Sequence, residues 1–173
     1  MDKVLIVSDS HGLAEELMEL KNRHSHETGL MIHCGDSELS AADPAIEDFL
    51  VVRGNCDMEN KFRDEIITDY AGLRFLVAHG HRYSVKRTLL RLLYRAQEVE
   101  ADIVCFGHSH ILGAEMVDNI LFINPGSLRL PRARRERTYC LLDIHNGRVD
   151  LQVFDYQKGR LPGLGKTFYF SKE

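Results

Sequence analysis

One pattern constrains this chain more than any other: a short apolar run followed by a polar cluster that carries Asp, Asn or His. It occurs five times. The run at 4–7 leads into Ser8-Asp9-Ser10-His11-Gly12, and Leu30-Met31-Ile32 leads into His33-Cys34-Gly35-Asp36. The run at 49–52 precedes Gly54-Asn55-Cys56-Asp57, the run at 73–78 ends at His79-Gly80-His81, and the run at 103–106 ends at Gly107-His108-Ser109-His110. Runs that are apolar throughout mark strands buried on both faces, whereas a sheet with one wet face alternates. Five such strand ends in series predict a layered sheet fold whose strand ends converge on one metal-rich edge.

The intervening segments set the order of elements. Leu13, Leu17 and Leu20 lie on one stripe of a helix over about 13–24, and Asp43-Pro44 reads as a helix start with Asp43 as cap. Strand, helix, strand, helix, strand predicts a parallel α/β arrangement. The runs 66–70 and 73–78, joined at Ala71-Gly72, read as a hairpin, and Ser84 is placed to cap a helix reaching about Glu98. Strands are expected at 113–117, 120–123 and 139–144, with turns at Asp118-Asn119 and Asn146-Gly147. The second half is therefore expected to be mostly antiparallel. The whole is an α/β fold of two packed sheets with helices outside.

A length of 173 residues favours one domain spanning 1–173. The net charge of -4 argues against stable nucleic-acid binding by the whole surface. The opening run is too short for a secretory core, and no segment is long enough to span a membrane. Cys34, Cys56, Cys105 and Cys140 form no Cys-x-x-Cys pair, which fits a reduced cytoplasmic protein.

Taken singly, most clusters have a plain alternative. Asp9 could cap a helix, Gly35-Asp36 and Gly54-Asn55 could be turns, and the histidines could be solvated loop residues. Four of the nine histidines, however, fall in two tight pairs, each beside a glycine. Together the clusters offer oxygen and imidazole donors without thiolate. That mix suits manganese, iron, zinc, nickel or cobalt better than a cysteine-built structural zinc site.

The ordered set Asp-x-His, Gly-Asp, Gly-Asn-x-Asp, His-Gly-His and Gly-His-x-His resembles the calcineurin-like metallophosphoesterase superfamily. The length and Asn124-Pro125-Gly126-Ser127 resemble its small stand-alone phosphodiesterase branch. The resemblance implies a four-layer α/β-β/α sandwich of two mixed sheets flanked by helices. It also implies two divalent ions, manganese first among the candidates. Asp9, His11, Asp36 and His110 would hold one ion and Asp36, Asn55, His79 and His108 the other, with Asp36 bridging. The activity it implies is hydrolysis of a small phosphodiester by a metal-bound hydroxide, between ions about 3.5–4 Å apart.

The chain departs from the family pattern at Cys56, where many members have a histidine thought to assist the leaving group. Asp57, which would orient that histidine, loses its usual partner. Asn55, Cys56 and Asp57 remain the candidate catalytic residues, and His81 is left to touch substrate or solvent. Rival readings are a phosphomonoesterase or nuclease of the same superfamily, and a protein-interaction scaffold like the family's retromer subunit, which has a degraded metal site. The basic run Arg129, Arg132, Arg134, Arg135 and Arg137 reads as a solvated loop or as a substrate-facing one. The Leu89, Leu90, Leu92 and Leu93 cluster reads as core, with a homo-oligomer contact as the other use. Gly165-Lys166-Thr167 fails as a P-loop, because Arg160 stands where glycine is needed.

Overall fold

The computed structural model describes residues 2–171. In chain order the elements are β1 (Asp2–Val7), α1 (Ala14–His24), β2 (Leu30–His33), β3 (Leu50–Val51), β4 (Glu65–Tyr70), β5 (Leu73–Ala78) and α2 (Leu90–Glu98). There follow β6 (Ile103–Cys105), β7 (Gly113–Val117), β8 (Ile120–Asn124), β9 (Thr138–His145), β10 (Arg148–Asp155), β11 (Gly159–Arg160) and β12 (Lys166–Tyr169). One sheet runs β11-β10-β9-β1-β2-β3, with β12 also on β10, and the other runs β4-β5-β6-β8-β7.

The apolar runs are explained by layering. Val4 and Ile6 of β1 pack between the sheets against Phe75, Val77, Ile103 and Cys105. Leu5 and Val7, on the opposite face of the same strand, pack under Leu17 and Leu20 of α1. On the far side, Leu76 and Val104 meet Leu92, Leu93 and Ala96 of α2. Alternate residues of each run thus enter different cores, and both sets are buried, each large side chain contributing about 1.5–3 kcal/mol. This is the expected four-layer sandwich of two mixed sheets with a helix on each outer face.

Strand direction positions the site. β1, β2 and β3 pair in parallel, as do β5, β6 and β8. Their carboxyl ends, and the polar clusters that follow, therefore share an edge.

Four expectations change. No helix forms after Asp43: Asp43 Oδ1 accepts from Ala45 N at 2.9 Å, but Asp48 at φ 59° turns the chain left-handed before a second turn can close. The helix expected from Ser84 begins at Leu90, because Ser84 itself is left-handed at φ 53°. Thr88 Oγ1 instead receives Leu90 N at 3.2 Å. The third strand is shorter than expected, at Leu50–Val51. The second sheet is also less antiparallel than expected: α2 is a crossover from β5 to β6, which makes those strands parallel. The tail 166–169 is a strand on β10, as its apolar Phe168 packing into the core requires. Among the described residues, no helix is long and apolar enough to cross a membrane.

Candidate metal centre

Backbone conformation at the strand ends is unusual. Asp9, His11, Asp36, His108 and His110 all have positive φ, between 41° and 71°. Left-handed backbone costs a residue with a Cβ about 1 kcal/mol or more, and such strain collects at functional sites. These turns swing side chains from separate loops towards one point. Close approach does the rest: a Cβ on Gly54 would lie 2.1 Å from Asp36 Oδ1, and one on Gly107 would lie 2.5 Å from Asp9 Oδ2.

Six of the seven expected ligands meet there. His110 Nε2 is 3.1 Å from Asp9 Oδ1, and His79 Nε2 is 3.1 Å from Asp36 Oδ2 and 3.8 Å from Asp9 Oδ1. His11 Nε2 lies 3.8 Å from Asp9 Oδ1, 4.0 Å from Asp36 Oδ2 and 3.4 Å from His110 Nε2. Asn55 Oδ1 is 3.0 Å from His79 Nε2. Three sets of ligand atoms fall within 4.8 Å of one another: Asp9, His11 and His110; Asp9, Asp36 and His79; and His11, Asp36 and Cys56. Each carboxylate thus reaches both sides of the cluster. His108 stands apart from these sets, with its ring centroid 5.1 Å from that of His79 and its backbone N donating to Asp9 Oδ2 at 3.1 Å.

The outward nitrogens explain why the cluster needs a cation. His79 Nδ1 donates to the Cys34 carbonyl at 2.8 Å, His110 Nδ1 to the Leu130 carbonyl at 2.8 Å, and His11 Nδ1 to the Glu38 carboxylate at 2.9 Å. Those partners only accept, so each neutral ring carries its proton on Nδ1 and turns a bare Nε2 lone pair inward. Inside, the lone pairs face carboxylate and amide oxygens. Asp9 Oδ1 is buried and has no hydrogen-bond partner. Acceptors facing acceptors are stable only around protons or metal ions, and histidines tethered through their other nitrogen are the usual form of a metal site. The donor set fits divalent transition metals.

Titration behaviour reflects the same demand. Burial alone would raise the Asp9 and Asp36 carboxyls, but the adjacent His110 and His79 rings hold both below the ordinary range. Desolvation would lower His79, yet Asp36 and Asp9 raise it, and the nearby Asp9 carboxylate raises His110. His108, facing no carboxylate pair, is pushed down to about 4 by burial and by the charges of His79 and Lys86.

Cys56 and Asp57 behave differently from each other. Cys56 is exposed, its backbone N donates to Asp36 Oδ1 at 2.8 Å, and burial of the thiol together with Asp36 pushes its pKa up to about 11. Asp57 points away from the cluster's centre. Its Oδ2 accepts from Asp36 N at 2.8 Å and Gly54 N at 2.7 Å, and its Oδ1 accepts from Glu38 N at 2.8 Å. It ties together the two loops that carry Asp36 and Asn55. His81 packs 5.4 Å from His79 with its buried Nδ1 unpartnered.

The supporting contacts of several residues were not foreseen from the sequence. His33 accepts Gly35 N on Nδ1 at 3.1 Å, so its Nε2 donates to Ser10 Oγ at 2.8 Å and joins the first two loops. Ser127 Oγ donates to the Asp9 carbonyl at 2.8 Å and accepts from Leu130 N at 2.9 Å. Arg129 donates to the His11 carbonyl, and Arg132 N donates to the His110 carbonyl at 3.0 Å. The basic loop therefore buttresses the site. Glu38, two residues past Asp36, is not singled out in the sequence, whereas His33, Ser127, Arg129 and Arg132 lie in segments that are.

The calcineurin-like phosphoesterase superfamily domain matches residues 2–147. The probable metallophosphoesterase YsnB of Bacillus subtilis is 51% identical over 161 residues, covering 93% of this chain and 95% of its own. The phosphodiesterase MJ0936 of Methanocaldococcus jannaschii is 30% identical over 146 residues, covering 72% and 82%. The crystal structure of a conserved protein of Streptococcus pneumoniae, a predicted phosphoesterase, superposes with a TM-score of 0.92 at 32% identity over 97% of each chain.

Proposed function

The chain belongs to the calcineurin-like phosphoesterase superfamily, a metal-dependent family of phosphoesterases, and from that premise we propose that it hydrolyses small phosphodiesters at a binuclear metal centre. One observation carries the reading: three tethered imidazoles turn bare Nε2 atoms onto two buried carboxylates, one of which has an oxygen without a partner. Asp9, His11, Asp36 and His110 would hold one ion. Asp36, Asn55, His79 and His108 would hold the other. Divalent ions bound there would supply Lewis acidity and lower the pKa of a bound water to about 7. Manganese is our first assignment, with nickel, iron, zinc and cobalt sharing the same donor preferences.

The chain's own groups do the rest. Asp9 and Asp36 are the only carboxylates among the ligands, so a centre holding two divalent ions keeps net positive charge and draws in a phosphate despite the chain's overall -4. The Nδ1 hydrogen bonds keep the rings oriented, and Asp57 sets the distance between the Asp36 and Asn55 loops. Cys56 sits at the cluster's open side with a thiol that stays protonated at neutral pH. A thiol near 11 is a weak acid for a leaving alkoxide, since proton donors work best near the ambient pH. Diesters with good leaving groups are therefore the preferred substrates; the M. jannaschii relative is itself a phosphodiesterase. The unpaired cysteines fit a reducing, cytoplasmic setting.

The test is hydrolysis of bis(4-nitrophenyl) phosphate by metal-stripped protein, with single divalent ions restored and 4-nitrophenyl phosphate run alongside. Metal-dependent turnover of the diester well above that of the monoester supports the reading. A monoester preference, or turnover indifferent to metal, overturns it.

A further inference from the structure

A cavity of about 650 Å³ opens beside the loop that carries His108 and His110. Its walls come from three places: the segment after β5 (Val85, Lys86, Leu89), the loop after β6 (Phe106, Ser109, Ile111, Leu112), and β7 and β8 (Ala114, Phe122, Asn124). The volume is that of a small-molecule site. It adjoins the metal centre through residues beside the ligands. Ser109 lies between the two histidines in sequence, and Asn124 Nδ2 donates to both Gly107 O at 3.2 Å and Ser109 Oγ at 3.0 Å. Arg132, on the cavity rim, is held by its backbone to the His110 carbonyl at 3.0 Å.

The chemistry of the walls is divided. The floor is aliphatic and aromatic, formed by Val85, Leu89, Phe106, Leu112 and Phe122. The rim carries three exposed cations, Lys86, Arg132 and Lys166, against one exposed acid, Glu115. Lys166 also donates to the Ala114 carbonyl at 3.3 Å, which closes one side. An apolar floor with a net positive rim, next to a phosphate-attracting centre, is complementary to a flat apolar group with a negative charge at its far end.

We propose that this cavity binds one ester arm of the substrate, and that the preferred phosphodiesters carry an aromatic arm bearing an anionic group. The inference rests on the phosphodiesterase reading above and adds the class of substrate. Gly113, at the cavity wall, and Lys86 and Arg132, at its rim, become the specificity-determining positions.

Two experiments separate this inference from the reading beneath it. The first uses 4-nitrophenyl diesters whose second arm is methyl, phenyl or 3-carboxyphenyl. Burying a phenyl group lowers KM about tenfold or more relative to methyl. Gly113→Phe, at a cavity-lining position where an added Cβ meets nothing within 4 Å, fills the cavity and raises the KM of the phenyl ester at least tenfold. The rim variant Lys86→Ala/Arg132→Ala, on exposed positions that folding tolerates, raises KM for the carboxyphenyl ester several-fold more than for the phenyl ester. Unchanged KM values in both variants overturn the inference. The second experiment is an NMR titration of the metal-loaded protein with phenylphosphonate and methylphosphonate, neither of which can be hydrolysed. Methyl signals of Val85, Leu89 and Leu112 that move with phenylphosphonate alone support the cavity site. Equal responses to the two ligands refute it. Absence of hydrolysis of every ester refutes the phosphodiesterase reading, whereas hydrolysis without arm preference refutes only the cavity assignment.

Discussion

Asp57→Asn separates a positioning carboxylate from one that acts on substrate. Asp57 is 4% exposed and accepts three backbone hydrogen bonds, from Asp36, Glu38 and Gly54, at 2.7–2.8 Å. The amide oxygen of Asn can replace Oδ2 and keep the Asp36 and Gly54 bonds. The amide nitrogen then points its hydrogens at the Glu38 N–H, and that donor loses its partner. Loss of one charge-assisted bond with a donor left unpaired costs about 1–3 kcal/mol. Because the same bonds set the spacing of the Asp36 and Asn55 loops, metal affinity should fall about 10- to 100-fold, as when other outer-shell partners are removed. Urea unfolding of the metal-free protein reads the first quantity, and calorimetric titration with manganese reads the second. With saturating metal, kcat should recover most of its original value. A variant that binds manganese normally yet has lost kcat would refute this account and place Asp57 in the chemistry.

Three further outcomes follow from individual contacts. His33 is fully buried and held down to about 4, chiefly by desolvation, so as pH falls the unfolded chain takes up its proton first, near 6.5. Stability is therefore lost between about pH 6.5 and 4, by about 3 kcal/mol from this group, and urea midpoints of His33→Gln should show a shallower acid slope; parallel slopes contradict the linkage. Gly54→Ala places a Cβ 2.1 Å from Asp36 Oδ1 and 2.6 Å from Asp36 N, and should weaken manganese binding at least tenfold in the same calorimetric titration. Cys56→His replaces a thiol near 11 with an imidazole and should raise turnover of alkyl phosphodiesters by up to about a hundredfold; equal or lower rates on those esters dismiss a leaving-group role for this position.

The fold was legible where both faces of a strand are buried, because β1, β2, β5 and β6 then lie in short, largely apolar runs bounded by turn residues, too short for a helix. It was less legible where backbone conformation decided the outcome. Asp48 and Ser84 adopt left-handed φ that their identities do not demand, and these two residues abolish one expected helix and shorten another. The parallel pairing of β5 with β6 depends on how α2 crosses the sheet, which periodicity along the chain does not encode. Candidate ligands were legible because each lies within a few residues of a strand end. Their supports were not: Cys34 and Leu130 act through carbonyls, which every residue possesses, and Ser127 reaches Asp9 across 118 positions of chain.

The central claim is a centre of two ions held by the chain's own converging ligands, and metal stoichiometry tests it most directly. Metal-stripped wild-type protein and Asp36→Asn would be titrated with manganese, counting bound ions by elemental analysis after removal of free metal. The account predicts two manganese ions per wild-type chain and no more than one in Asp36→Asn, with circular dichroism showing both proteins folded. One ion or none in the wild type, or two retained after loss of the Asp36 carboxylate, would contradict it.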